Sequence, residues 1–567
     1  MSPDQPDQWN VGASPVAPGL TQPPPADPGQ GGAAMPEPAA PAPPLAVQTA
    51  PPSSVFPSVP QQAPAQPVGF AAGGADTPDL RASSNIQGNI LAGFRKDHQI
   101  FVFLKLPPDT VQARGWLGEL TPRIAATKEV AAFNARFSAA RLRNGGDDPE
   151  NLQAKWVNVG LTVSGLQLLG SPQIMTDLHS FDGTGFPAFT AGAASRAAQL
   201  GDAAPGSDPS RWLVGGPGQP AVDALLTVAA DDPDDLLVEM EKLRALATKY
   251  GVVTVFEQRG NTLPGGRAGH EHFGFKDGIS QPGVRGFDGP EPNAQNGMTL
   301  TAAGEFVLGH PGESGPDPRP CPDWMKDGAF QVWRRLDQDV PGFWGQMTAQ
   351  LETARATSFP SDDPMKEDMI AAKLMGRWRS GTPLDAAPNA DDRSARDPKD
   401  DNAFDFSGRA QDGSSLAPGA PPAVDSTGLR CPMDAHIRKM NPRNGAEAQH
   451  RIIRRGIPFG LPFDPAGGRG HGVDADRGLL FMAFMANIEG QFEFLQQMWA
   501  NTGFPGAGAG PDPIIGTPTG GQPTHTIKRN GLPDLQLTLK RFVQTMGAVY
   551  AFAPSLATLK ALAAGTL

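Results

Sequence analysis

Cysteine and tyrosine are scarce in this 567-residue chain: Cys321 and Cys431, Tyr250 and Tyr550. Two cysteines exclude a disulfide framework and a zinc site built from four thiolates. Long apolar runs are missing too. No stretch reaches the roughly 18 consecutive apolar residues that a membrane-spanning helix requires. Basic residues are outnumbered, 47 Lys and Arg against 59 Asp and Glu, for a net charge of −12. That argues against a nucleic-acid partner, which needs a basic face to meet phosphates. The nine histidines include no H-E-x-x-H pattern, which argues against a zinc hydrolase.

Glycine and proline are abundant, at 68 and 61 residues, and the prolines are unevenly spread. Residues 1–80 hold 20 of the 61, and no Lys or Arg precedes Arg81. Runs such as Pro23-Pro24-Pro25 favour extended, solvated backbone. The interspersed Ala and Val bury too little surface to offset the entropy of ordering. Residues 1–80 therefore read as a disordered tail, either a plain tether or a docking arm for a protein shell or another partner. The tail lacks the basic start and compact apolar core of a secretory signal, so the expected location is cytoplasmic, with enclosure in a protein compartment left open. A second Pro-, Gly- and Asp-rich stretch, 382–427, reads as a long surface loop.

Between these stretches the chain alternates strand and helix signals. Gln99–Leu106, Lys155–Thr162, Ala224–Ala229 and Val252–Phe256 read as strands. Asp109–Phe137 is helical with a break near Pro122, and Asp234–Tyr250 follows the start signal Asp231-Asp232-Pro233. The pattern resumes at Glu305–Leu308. Strands are expected at Phe330–Trp333, Leu479–Phe484 and Ala548–Phe552, and helices at Gly342–Thr353, Met365–Met375 and Gln491–Trp499. Two successive α+β lobes, 81–300 and 301–567, fit this order better than a doubly wound sheet.

Three segments carry chemistry. In Gly274–Gly283 (GFKDGISQPG), Asp277 stands between Gly274 and Gly278. Flanking glycines let the backbone turn sharply beside a ligand, although an Asp in this setting also suits an ordinary turn. In Ala435–Arg443 (AHIRKMNPR), His436 is followed by Arg438, Lys439 and Arg443. An imidazole is a natural axial ligand for haem iron and cations suit its propionates; a surface histidine beside a solvated basic run reads the same way. In Ile453–Gly460 (IRRGIPFG), Arg454 and Arg455 end a strand. Such a pair is either surface charge or, in a cavity, a means of polarising a bound oxygen.

In this order and with these flanks the three segments resemble the dye-decolourising peroxidase family of haem peroxidases. The resemblance runs from Asn85–Asn89 (NIQGN) to Pro554-Ser555. It implies a pair of ferredoxin-like α+β lobes, of the dimeric α/β-barrel type, with haem b held mainly by the second. It implies His436 as iron ligand, Asp277 as acid–base residue and Arg454 as its partner, with Arg455 the nearest rival. Arg438, Gly274 and Gly278 would border the cofactor, and Leu479 and Phe481 would confine peroxide. Hydrogen peroxide would oxidise bulky organic donors such as dyes and phenolics, with Trp499 as one relay for their electrons. Oligomeric state stays open.

An Asp base has a reference pKa of about 3.9, so peroxide chemistry should persist below about pH 5, where a histidine base would be protonated. One position departs from the family. Where the last strand usually carries a Glu that accepts a bond from the proximal His, Gly547–Phe552 (GAVYAF) places Val549. Asn487 and Glu489 are the candidates to replace it. Without such an acceptor the histidine is less basic, which leaves a second reading, a haem-handling protein with incidental peroxidase activity.

Overall fold

Several strands of this chain are apolar on both faces because both faces are covered. In β1, His98–Lys105, the side chains of Ile100, Val102 and Leu104 enter one core while Phe101 and Phe103 enter another. A half-exposed strand would alternate polar and apolar instead. The computed structural model describes residues 79–567 except 146–147, 150, 290–298, 316, 394–396, 407–424, 465–471, 473–474, 504–509 and 519–521. The tail expected over 1–80 thus lies outside the described residues as far as residue 78. Leu80 is already buried, its N–H donating to Gly286.

After β1 come α1 (Thr110–Leu120), β2 (Lys155–Leu161), β3 (Ala224–Ala230), α2 (Pro233–Lys249) and β4 (Val253–Asn261). The second half contributes β5 (Ala329–Gln338), α3 (Val340–Thr357), α4 (His436–Met440), β6 (Ile453–Arg454), β7 (Ile457–Phe459), β8 (Gly478–Met485) and β9 (Val543–Ala553), and ends in α5 (Leu556–Ala564). Helix starts follow local chemistry. Asp232 accepts from the N–H groups of Asp234 and Asp235 ahead of α2, and Asp339 from that of Gly342 in α3. Each start has a proline in its first turn, where the missing N–H is not needed.

The main strands form one antiparallel nine-stranded sheet, ordered β4-β1-β3-β2-β9-β5-β8-β6, with β7 also paired to β8. The first half has the order fourth–first–third–second, and so does the second, counting β5, the β6/β7 pair, β8 and β9. This is the ferredoxin-like α+β arrangement, twice. The halves join where Phe552 of β9 pairs with Leu161 of β2. No helix among the described residues is long and apolar enough to cross a membrane.

Two expectations change. Glu305–Leu308 is not a strand. Ala303–Glu305 is a single tight turn, because the buried Glu305 carboxylate is taken up by Arg319 and the N–H of Glu313. The loop from residue 382 is not simply a surface excursion. Leu384, Phe404 and Phe406 pack with Trp378, Cys431 and Ala435 into a small core. Arg443 holds the segment there through the carbonyls of Asn402 (2.8 Å) and Phe404 (2.9 Å). Its continuation, 407–424, lies outside the described residues.

Candidate active site

The three sequence motifs converge on one cavity. The segment carrying Asp277 is fixed at several points. Phe273 packs on Phe343 of α3, ring centroids 4.6 Å apart, and the His272 imidazole bonds the Phe459 carbonyl of β7 at 2.8 Å. Gly274 and Gly278 have φ of +100° and +75°, a region that a side chain would strain. They shape the turn around Asp277. Neither lines the cavity.

The motifs are also tied to one another. The Gln281 amide clamps Arg454 from both sides, donating to its carbonyl (3.1 Å) and accepting from its N–H (3.2 Å). The Asn441 amide, beyond α4, donates to the Ser280 hydroxyl at 3.3 Å. The Arg454 guanidinium donates to the Asp277 carboxylate at 2.9 Å and to the Ser280 carbonyl at 3.3 Å. Burial works to raise the Asp277 pKa, but the Arg454 charge and bonds from Arg454 and the Gly278 N–H outweigh it and hold the group below the usual carboxylate range.

His436 opens α4. Its Nδ1 donates to the Asp512 carboxylate at 2.8 Å, which leaves Nε2 as the nitrogen for a metal. Asp512 is itself held by the N–H groups of Ile514 (2.8 Å) and Ile515 (3.0 Å). Burial alone would lower the His436 pKa; the Asp512 charge and hydrogen bond raise it instead. Asp512 is the residue that sequence reading missed. Asn487 bonds Gly490 and Glu489 bonds the N–H of Ala188, so neither serves His436. Val549 is buried in the sheet core beside Trp333. The only signal for Asp512 was a carboxylate between Pro511 and Pro513, 76 residues from the histidine.

The cavity has a volume of about 390 Å³. Leu479 and Phe481 line it as expected, because alternate residues of β8 face it while Leu480 and Met482 face the sheet core. Arg438 does not line it. Its guanidinium is turned onto the carbonyls of Cys431 (2.6 Å) and Asp425 (2.8 Å), which makes it a brace for the chain before His436. Arg443 and Arg451 are the cations of that region that reach the cavity wall. Arg455, the rival to Arg454, points away and bonds the carbonyls of Asn89, Ile90 and Leu91. Trp499 lines the cavity and Trp333 is in the sheet core. Trp344 lies partly exposed under Arg379, at 4.0 Å, and Trp378 belongs to the small core beside the loop.

These residues fit a haem. One imidazole nitrogen is turned from its carboxylate, the walls include Phe273, Leu479, Phe481 and Leu495, and Arg443 and Arg451 are among the cations of the lining.

Two family models match the chain: "DyP dimeric alpha+beta barrel domain" over residues 85–264 and "Dyp-type peroxidase, C-terminal" over 319–505. A dye-decolorizing peroxidase, msp1, of Mycetinis scorodonius is 31% identical over 502 residues, covering 84% of this chain and 86% of that one. The multifunctional dye peroxidase DyP2 of an Amycolatopsis species is 30% identical over 510 residues, covering 84% and 95%. Among solved structures, an ancestral D-type dye-decolorizing peroxidase superposes with a TM-score of 0.68 at 31% identity, covering 85% of this chain and 98% of that one. A dye-decolorizing peroxidase in complex with 2,6-dimethoxyphenol gives 0.66 at 30% identity, covering 84% and 99%. Fold, convergent motifs and these matches agree: the chain belongs to the dye-decolourising peroxidase family of haem enzymes.

Proposed function

We propose that this chain is a haem b peroxidase that uses hydrogen peroxide to oxidise bulky organic donors, dyes and phenols among them. In this reading His436 holds the iron through Nε2, Asp277 is the acid–base residue and Arg454 its partner. Residues 81–300 and 301–567 form the two lobes. The observation that carries the proposal is the Asp277–Arg454 pair, at 2.9 Å, in the same cavity as an imidazole anchored through Nδ1. A haem held through His436 would supply redox-active iron for the reduction of peroxide.

The chain's own residues do the rest. Asp277 takes a proton from one peroxide oxygen and returns it to the other. It must start ionised, and Arg454 favours that form. Arg454 also offers donors to charge that develops on oxygen as the O–O bond breaks. Leu479 and Phe481 keep that part of the cavity apolar. Asp512 orients the His436 ring and makes it more basic, which removes the reason for preferring a mere haem handler. Arg443 and Arg451 suit the haem carboxylates.

The test is a pair of variants. His436→Ala should lose the absorption band of ligated haem. Asp277→Asn should keep that band while its reaction with peroxide slows about 10²–10⁴-fold, the range for a lost general acid–base. An unaltered spectrum in the first, or an unaltered rate in the second, would defeat the proposal.

A further inference from the structure

Glu271 lines the same cavity as Asp277, six residues earlier in the chain. Its carboxylate accepts from the N–H groups of Phe273 and Phe275, each at 2.9 Å, and from the Gln338 amide at 2.7 Å. All three donors are neutral. Three other carboxylates of the cavity wall meet a guanidinium: Asp277 meets Arg454 (2.9 Å), Asp202 meets Arg334 (2.5 Å) and Glu447 meets Arg451 (2.9 Å). A buried carboxyl without a cationic partner is the kind that takes up a proton.

Its neighbour suits both protonation states. The Gln338 Oε1 atom is buried with no hydrogen-bond partner. The two ends of an amide exchange by a half-turn. With nitrogen toward Glu271, Gln338 donates to a carboxylate. With oxygen toward it, Gln338 accepts from the hydroxyl of a carboxylic acid. In either state the Phe273 and Phe275 N–H groups keep an acceptor.

We propose that Glu271, backed by Gln338, is a second proton-carrying carboxyl of this cavity, delivering the protons that reduction of peroxide to water consumes. The inference rests on the reading of Asp277 given above. The balance is H2O2 + 2 H⁺ + 2 e⁻ → 2 H2O, with the electrons coming from the oxidised donor. Asp277 only moves a proton between the two peroxide oxygens, a transfer with no net uptake. The two protons that match the two electrons enter separately. The Glu271 O–H bond breaks, the proton goes to the oxygen being reduced, the Gln338 amide stabilises the carboxylate, and solvent restores the acid.

Burial pushes the Glu271 pKa up to about 7, against the pull of its three hydrogen bonds and with a small push from the Asp277 charge. A group half-protonated near neutrality suits proton delivery. The other charged or titratable groups of the wall are Lys276 and Asp277 on its own segment, Asp202, Arg334 on β5, Arg377, Asp405, His436 on α4, Arg443, Glu447, His450, Arg451 and Arg454 on β6. Beyond Gln338 lies Arg477, whose carbonyl accepts the Gln338 N–H at 3.0 Å.

The test uses infrared difference spectra of the full chain, with and without haem, between about pH 5 and about pH 9, spanning the reference range on either side of neutrality. A protonated-carboxyl band should fade with a midpoint near 7 and be absent in Glu271→Gln. In Gln338→Met the midpoint should move upward, because the donor to the ionised form is gone; that readout survives even if Glu271→Gln folds poorly. With haem bound, the pH profile of donor turnover should show an alkaline limb that Glu271→Gln loses, with turnover slower by about 10²-fold. A band and limb that Glu271→Gln and Gln338→Met leave in place would overturn the inference. Persistence of the peroxide reaction below about pH 5 would then show that the proposed function itself stands.

Discussion

At the scale of single residues, buried pairs decide protonation. His436 and Asp512 meet at 2.8 Å, with the histidine pKa raised and the aspartate pKa lowered. The sign for haem-free protein follows from both shifts. The histidine contribution to stability is full below the unfolded value of about 6.5 and lost as pH rises through the folded one. The aspartate contribution is present above about 3.9 and lost as pH falls through its folded value. Asp512→Asn should therefore cost about 1.5–3 kcal/mol, the worth of a hydrogen bond to a charged group. The deficit should be widest between about pH 4 and about pH 6.5. Thermal melts of the two haem-free proteins across pH check this; a deficit that does not vary with pH would contradict it. Asp277 predicts differently. Its pKa lies below the usual range, so the peroxide reaction should persist below about pH 5, as stopped-flow traces would show. Loss of the reaction with a midpoint near that of histidine would assign the base elsewhere.

At the scale of elements, adjacent residues of a strand point to opposite faces. Arg454 enters the cavity and Arg455 the first half of the chain. There the Arg455 guanidinium, its pKa lowered to about 9 by burial, takes up three carbonyls of Asn89–Leu91. Arg455→Ala should lower the unfolding free energy by about 2–3 kcal/mol, since it leaves those carbonyls without a donor. Arg454→Ala should slow the peroxide reaction by about 10²-fold or more with a smaller loss of stability. Denaturant unfolding beside stopped-flow kinetics separates the two. Equal effects on both quantities would mean that the alternation does not divide their roles. The resemblance pointed to Arg454 with Arg455 as its nearest rival, and local pattern could not separate the two, because the register of a two-residue strand is fixed only by its pairing, Arg454 opposite Ala483. The strands themselves were legible because they are long and apolar. Glu305–Leu308 misled because its apolar residues are buried around a turn and not in a sheet.

At the scale of the whole molecule, the sheet places residues far apart in the chain around one cavity: Asp277 before β5, His436 in α4, and Leu479 and Phe481 in β8. Residues 1–78 lie outside the described residues. Their composition offers little to bury. Deleting them should leave haem uptake, turnover and the thermal midpoint unchanged within error. A fall in the melting temperature of several degrees would show that they stabilise the fold. If the segment docks to a protein shell, the same deletion should abolish co-purification with that shell.

The sequence by itself determined the alternation of strands and helices and the three motifs, because apolar spacing and glycine-flanked turns are local properties. It also placed His436, Asp277 and Arg454 by their resemblance to known motifs. Only the tertiary structure decided that Asp512 serves His436, that Arg438 braces a loop while Arg443 and Arg451 reach the cavity, and that Glu271 stands there without a cation. Each of those depends on which side chains meet across tens or hundreds of residues. Local pattern does not encode such distances; the packing of two halves around one sheet does.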